Sequence, residues 1–74
     1  MGLTVREKKR VNAEVYLEPD GNDVNLCISL PNGKNFTIAY FDNSGQFYTY
    51  ELDSASSQYV KDYVVLDGNV LSVC

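Results

Sequence analysis

Four short turns marked by glycine set what this chain can fold into: Pro19-Asp20-Gly21, Pro31-Asn32-Gly33, Asn43-Ser44-Gly45 and Asp67-Gly68-Asn69. The first three recur about every dozen residues, and the segments between them are rich in β-branched, aromatic or alternating apolar residues. Such spacing produces short antiparallel strands joined by tight hairpins, because glycine supplies the left-handed backbone that these turns need. It is not the period of a solenoid repeat.

Each turn also predicts a register. Side chains directly opposite one another share a face, and a slip of one residue exchanges the two faces. A three-residue loop at Pro31-Asn32-Gly33 sets Leu30 opposite Lys34, Ile28 opposite Phe36, Leu26 opposite Ile38 and Val24 opposite Tyr40. The same loop at Asn43-Ser44-Gly45 sets Tyr40 opposite Tyr48, Ile38 opposite Tyr50 and Phe36 opposite Leu52. A four-residue loop from Pro19 to Asn22 aligns Leu17 with Val24, Val15 with Leu26, Ala13 with Ile28 and Val11 with Leu30. The three-residue alternative there would oppose Glu14 to Leu26. These pairings put Val11 to Leu17, Val24 to Leu30, Phe36 to Tyr40 and Tyr48 to Leu52, taking every second residue, on one inner face.

An apolar face of that size must be covered, since burial at about 25 cal/mol per Å² is the main stabilising term available. The residues from Asp53 onward are the natural cover. Asp53 is placed to cap a short helix at about residues 54–61 that gathers Ala55, Tyr59, Val60 and Tyr63 on one stripe. A two-residue Gly68-Asn69 turn then opposes Leu66 to Leu71 and Val64 to Val73 in a last hairpin. The expected fold is mainly β: a single antiparallel meander of about six strands with one short helix. It is either curled into an open barrel or laid out as a sheet covered by its terminal hairpin. The expected organisation is a basic N-terminal arm at residues 1–10 and one β domain at 11–74.

At 74 residues the chain is one domain with little room for an enclosed cleft. It contains no histidine, which excludes Ser-His-Asp and Cys-His catalysis and every zinc site that needs an imidazole. The Asp20-Gly21-Asn22-Asp23 run lacks calcium-loop spacing, the other carboxylates sit mostly in turns, and Cys27 has no basic neighbour predicted on its face. The expectation is therefore a non-catalytic chain without metal or cofactor. No apolar run approaches the length of a membrane span and no secretory signal opens the chain, which points to a cytoplasmic, reducing compartment. Cys27 and Cys74 are then expected as free thiols, although spacing leaves a bridge between them open. Without a secretory signal, the Asn35-Phe36-Thr37 sequon reads as accidental.

The net charge of −4 hides an asymmetry: residues 1–10 carry +3 and residues 11–74 carry −7. The basic arm consists of Arg6, Lys8, Lys9 and Arg10. It suits contact with phosphate or with an acidic surface, and the competing reading is a solvated tail.

On the outer face of the sheet the registers gather Phe41 opposite Phe47, with Ala39 beside them and Tyr16 two strands away. Exposed aromatics mark binding surfaces because they bury much area at low rotamer cost. The expected partner is another protein with a basic surface. Tyr16, Phe41 and Phe47 would be the anchors, and Glu14, Glu18 and Asp42 part of an acidic rim. Small size, tyrosine richness and negative charge suit a stoichiometric inhibitor or adaptor, of the sort viruses encode against host machinery; that likeness is compositional only. The alternative is a single-stranded nucleic-acid-binding module that stacks bases on these aromatics and holds phosphates with the basic arm, against which the acidic body counts. Residues 63–73, nearly uncharged, offer the edge through which a homodimer would form.

Overall fold

A computed structural model describes residues 3–8, 10 and 12–74. Seven strands and one helix follow in the order β1 (Thr4–Glu7), β2 (Glu14–Asp20), β3 (Asp23–Ser29), β4 (Asn35–Phe41), β5 (Phe47–Thr49), α1 (Ser54–Lys61), β6 (Val64–Asp67) and β7 (Val70–Val73). They form two sheets, an antiparallel one in the order β2-β3-β4-β5 and a smaller one in the order β1-β7-β6. The covered-sheet arrangement is therefore the one adopted, not a barrel.

Three turns behave as their residues dictate. Leu30 donates its backbone N–H to Lys34 at 2.8 Å around a single 3₁₀ turn at Pro31–Gly33. Tyr40 pairs with Tyr48 across the β4–β5 hairpin, and Leu66 with Leu71 and Val64 with Val73 across the last one. Helix α1 starts where Asp53 accepts the backbone N–H of Ser56 at 2.7 Å, satisfying an orphan donor of the first turn. At its other end Tyr59 donates to the carbonyl of Pro31 at 3.3 Å and lies beneath the Lys34 ammonium, 5.2 Å from the ring centre. One aromatic side chain thus ties the helix to the β3–β4 turn.

Three expectations need correction. The strands number seven, because Thr4–Glu7, inside the segment read as an arm, pairs in parallel with β7. Parallel pairing leaves no turn signal in the sequence, and the five charged residues at 6–10 mask Leu3, which packs against the core, and Val5. In the first hairpin Leu17 faces Leu26 and Val15 faces Ile28, so the loop has two residues, Gly21 and Asn22, rather than four. Gly21 at φ +61° permits this tighter turn. The slip is by two residues, which leaves the faces unchanged, and in this register the missing N–H of Pro19 falls on the open side of an edge strand. Of the inner-face residues, Val11 lies outside the described residues, as do Met1, Gly2 and Lys9.

The largest correction is in the middle of the sheet. Between β3 and β4 the register shifts: Cys27 faces Thr37, but Leu26 faces Ala39, leaving Ile38 as an extra residue. Such a β-bulge reverses the alternation beyond it. Ile38 and Ala39 are both buried in the core, with Leu26, Ile28, Leu30, Val60, Val64, Leu71 and Val73. From there on Phe41 and Phe47 take the core side, while Tyr40, Tyr48 and Tyr50 take the outer side, the reverse of the sequence expectation.

Candidate functional site

The outer face of the β2–β5 sheet is now defined row by row. Tyr16, Cys27 and Thr37 stand side by side across β2, β3 and β4, followed by a row of Glu18, Asn25, Tyr40 and Tyr48. Asp20 and Asp23 face each other at the β2–β3 turn. The Tyr40 ring stacks on Tyr48 at 5.0 Å between centroids with 22° between planes, and Tyr50 packs against the same ring at 5.2 Å. Tyr16, Tyr48 and Tyr50 remain 39%, 38% and 46% exposed. The result is a row of stacked phenols on a solvated face, a rigid apolar platform edged by hydroxyls.

Carboxylates surround this platform. Glu14, Glu18 and Asp20 lie on β2, Asp23 on β3 and Asp42 just past β4, whereas Lys34, the single basic residue between positions 12 and 50, is engaged at the helix. Asp42 is also a structural residue. One of its oxygens accepts the Ser44 backbone N–H at 2.9 Å, the Ser44 hydroxyl at 2.6 Å and the Gln46 backbone N–H at 2.9 Å. The other accepts the Tyr48 hydroxyl at 3.2 Å. The Ser44 side chain, then the Gln46 backbone, hold the Asp42 carboxyl below its ordinary pKa, and the bond to Asp42 raises that of Tyr48. Partial desolvation, with Cys27 and Glu18 adding to it, raises the pKa of Tyr16.

These directions predict how the turn responds to pH. A depressed carboxyl stabilises the folded state fully above its ordinary pKa of 3.8, and that contribution is lost as the pH falls through the lower folded value. Asp53, lowered first by its bond from the Ser56 backbone, behaves in the same way at the helix cap. Amide exchange at Ser44, Gln46 and Ser56 is expected to stay constant from neutral pH down to the carboxylate range and to accelerate below it, after correction for intrinsic rates. Tyr48, with its raised pKa, contributes below 10.0 and loses that contribution as the pH rises through the folded value.

The expected anchors divide between the two faces. Tyr16 is on the outer face with Glu14 and Glu18, whereas Phe41 and Phe47, whose rings are 5.0 Å apart, lie on the core side. Phe47 packs against the core, and Leu17, on the same side, is 58% exposed. The clustering of Tyr16 with Phe41 and Phe47 is therefore replaced by Tyr16 with Tyr40, Tyr48 and Tyr50. One signal in the sequence points this way: three tyrosines on a buried face would need three buried partners for their hydroxyls, and the apolar residues assigned beside them offer none. Phe47→Ser is accordingly expected to cost about 2 kcal/mol in urea unfolding, since a half-buried phenylalanine gives up part of the usual truncation penalty.

Of the basic residues, Arg6 is exposed in β1 of the other sheet, and Lys8 and Arg10 are exposed after it. Cys27 is buried, with its sulfur 3.6 Å from the Thr37 hydroxyl, and both cysteines are free. Among the described residues no three His, Cys, Asp or Glu side chains are grouped to hold a metal ion, and no helix is long and apolar enough to cross a membrane. Comparison with known proteins finds no matching family model, curated sequence or solved structure.

Proposed function

We propose that this chain is a non-catalytic protein-binding module whose tyrosine face docks on a basic surface of another protein, in the manner of a stoichiometric inhibitor or adaptor. The observation that carries this reading is the packed Tyr40–Tyr48–Tyr50 group, with Tyr48 and Tyr50 exposed, set among Glu14, Glu18, Asp20, Asp23 and Asp42. Stacked tyrosines offer area at small entropic cost and an electron-rich face for arginine or lysine, while the carboxylates steer a cationic partner toward them. Tyr16 extends the platform across β2 and β3.

Nucleic acid is the less favoured ligand. Stacked bases need phosphate-binding cations beside the aromatics, and here Arg6 belongs to the other sheet while five carboxylates frame the platform.

An amide chemical-shift titration of the labelled chain with an arginine-rich peptide, and separately with a single-stranded oligonucleotide, tests this. The peptide is expected to shift Tyr16, Asn25, Tyr40 and Tyr48 and to bind more weakly as salt rises. Peptide shifts confined to other surfaces, or oligonucleotide shifts on the tyrosine face, would contradict it.

A further inference from the structure

Among the described residues four strand edges are open, and three of them are guarded against pairing. The β2 edge carries Glu14, Glu18, Pro19 and Asp20, β1 carries Arg6 and Glu7, and β5 is only three residues long. Charges, proline and shortness are the devices that keep edge strands from adding a neighbour. The remaining edge, β6, reads Val-Val-Leu-Asp, with no lysine, proline or bulge, and Val65 is 46% exposed. In its ladder with β7, which continues as the Cys74 N–H donating to the Tyr63 carbonyl at 2.8 Å, the odd-numbered residues bond inward. The N–H and C=O groups of Val64 and Leu66 therefore point to the open side. Beside them a groove of about 420 Å³ runs between β6, α1 and the segment after β5, with Ile38, Leu52 and Val60 on its walls and Glu51 and Lys61 among its polar lining.

The geometry points to a second copy of this chain as the occupant of that edge. Two β6 strands run antiparallel across a two-fold axis at Val65, Val64 of each copy opposite Leu66 of the other, and the two residue pairs exchange four backbone hydrogen bonds. In this register Asp67 faces Tyr63 and Asp62 faces Gly68, so no like charges are opposed. Electrostatics select this surface among those the chain offers to itself. The tyrosine face, with five carboxylates, repels its own copy, whereas the groove's single acid, Glu51, and single base, Lys61, give two copies neutral and reciprocally complementary rims. The smaller sheet becomes a continuous six-stranded one in the order β1-β7-β6-β6-β7-β1, and the two grooves close on each other. This inference does not rest on the tyrosine-face reading, since sedimentation is measured without a ligand.

The test is sedimentation velocity on the full chain from low micromolar to millimolar concentration, with two variants. The wild type is expected to pass from 8.3 kDa to twice that mass. Val65→Lys, which places two like charges at the axis but substitutes an exposed residue, is expected to stay monomeric over the same range with an unchanged circular dichroism spectrum. Val65→Cys, treated with oxidised glutathione to accept the two electrons and two protons released by the thiols, is expected to form an intermolecular disulfide between the two position-65 sulfurs, mapped by proteolysis. That position faces itself in a non-hydrogen-bonded pair with Cα atoms about 4.5 Å apart, within disulfide reach. A wild type that stays monomeric throughout, a folded Val65→Lys that still dimerises, or a Val65→Cys dimer without the 65–65 link would overturn the proposal. If Val65→Lys does not fold, the cross-link decides.

Discussion

Leu26→Ala is expected to remove more than half of this chain's folding stability. Leu26 is fully buried and sits at the bulge, opposite Ala39 and against the covering layer of Val60, Val64, Leu71 and Val73. Truncating a leucine with no exposure costs about 3 kcal/mol through lost transfer energy and the cavity left behind. A domain of this size stands near the low end of about 5 kcal/mol in total, so the loss takes most of what holds it folded. Urea unfolding followed by circular dichroism measures the change directly. Stability reduced by less than about 1 kcal/mol would mean that the two sheets do not share one core.

The second large effect concerns binding. Tyr48→Thr combined with Tyr50→Thr is expected to weaken binding of the arginine-rich peptide by about 2 kcal/mol, or roughly thirtyfold, the range of an interface anchor. Threonine keeps the strand preference, and both tyrosines are more than a third exposed, so the fold should persist. The decisive contrast is with Phe47→Ser, which lowers stability but is expected to leave peptide affinity unchanged. If the phenylalanine variant loses the peptide and the tyrosine variant retains it, the anchors are the ones expected from unbroken strand alternation, and the face identified here is wrong.

That contrast turns on a single residue. With Ile38 paired as an ordinary strand residue, Tyr40, Tyr48 and Tyr50 point inward and Phe41 and Phe47 outward. With Ile38 extruded as a bulge, the alternation restarts at Ala39 and all five exchange sides. Ile28 and Phe36 lie before the restart and Leu26 on the unbulged strand, which is why their inward placement was legible. Tyr16, Glu14 and Glu18 on β2 were legible on the outer face for a different reason: the first hairpin slipped by an even number of residues.

What sequence alone determined was local. Pro31-Asn32-Gly33, Asn43-Ser44-Gly45 and Gly68-Asn69 specify their hairpins, and Asp53 the start of α1, because turn and cap energetics depend on a few neighbouring residues. The mainly β class follows from them. The tertiary structure decided the rest. Thr4–Glu7 becomes a strand only because β7 lies beside it, nearly the whole chain away, and no turn residue announces that pairing. The bulge at Ile38 follows from competition over the whole sheet, where burying phenylalanine rings and leaving tyrosine hydroxyls in water outweighs one interrupted ladder. The placement of aromatic side chains on one face or the other, and with it the binding surface, is thus a property of the packed layers rather than of any segment.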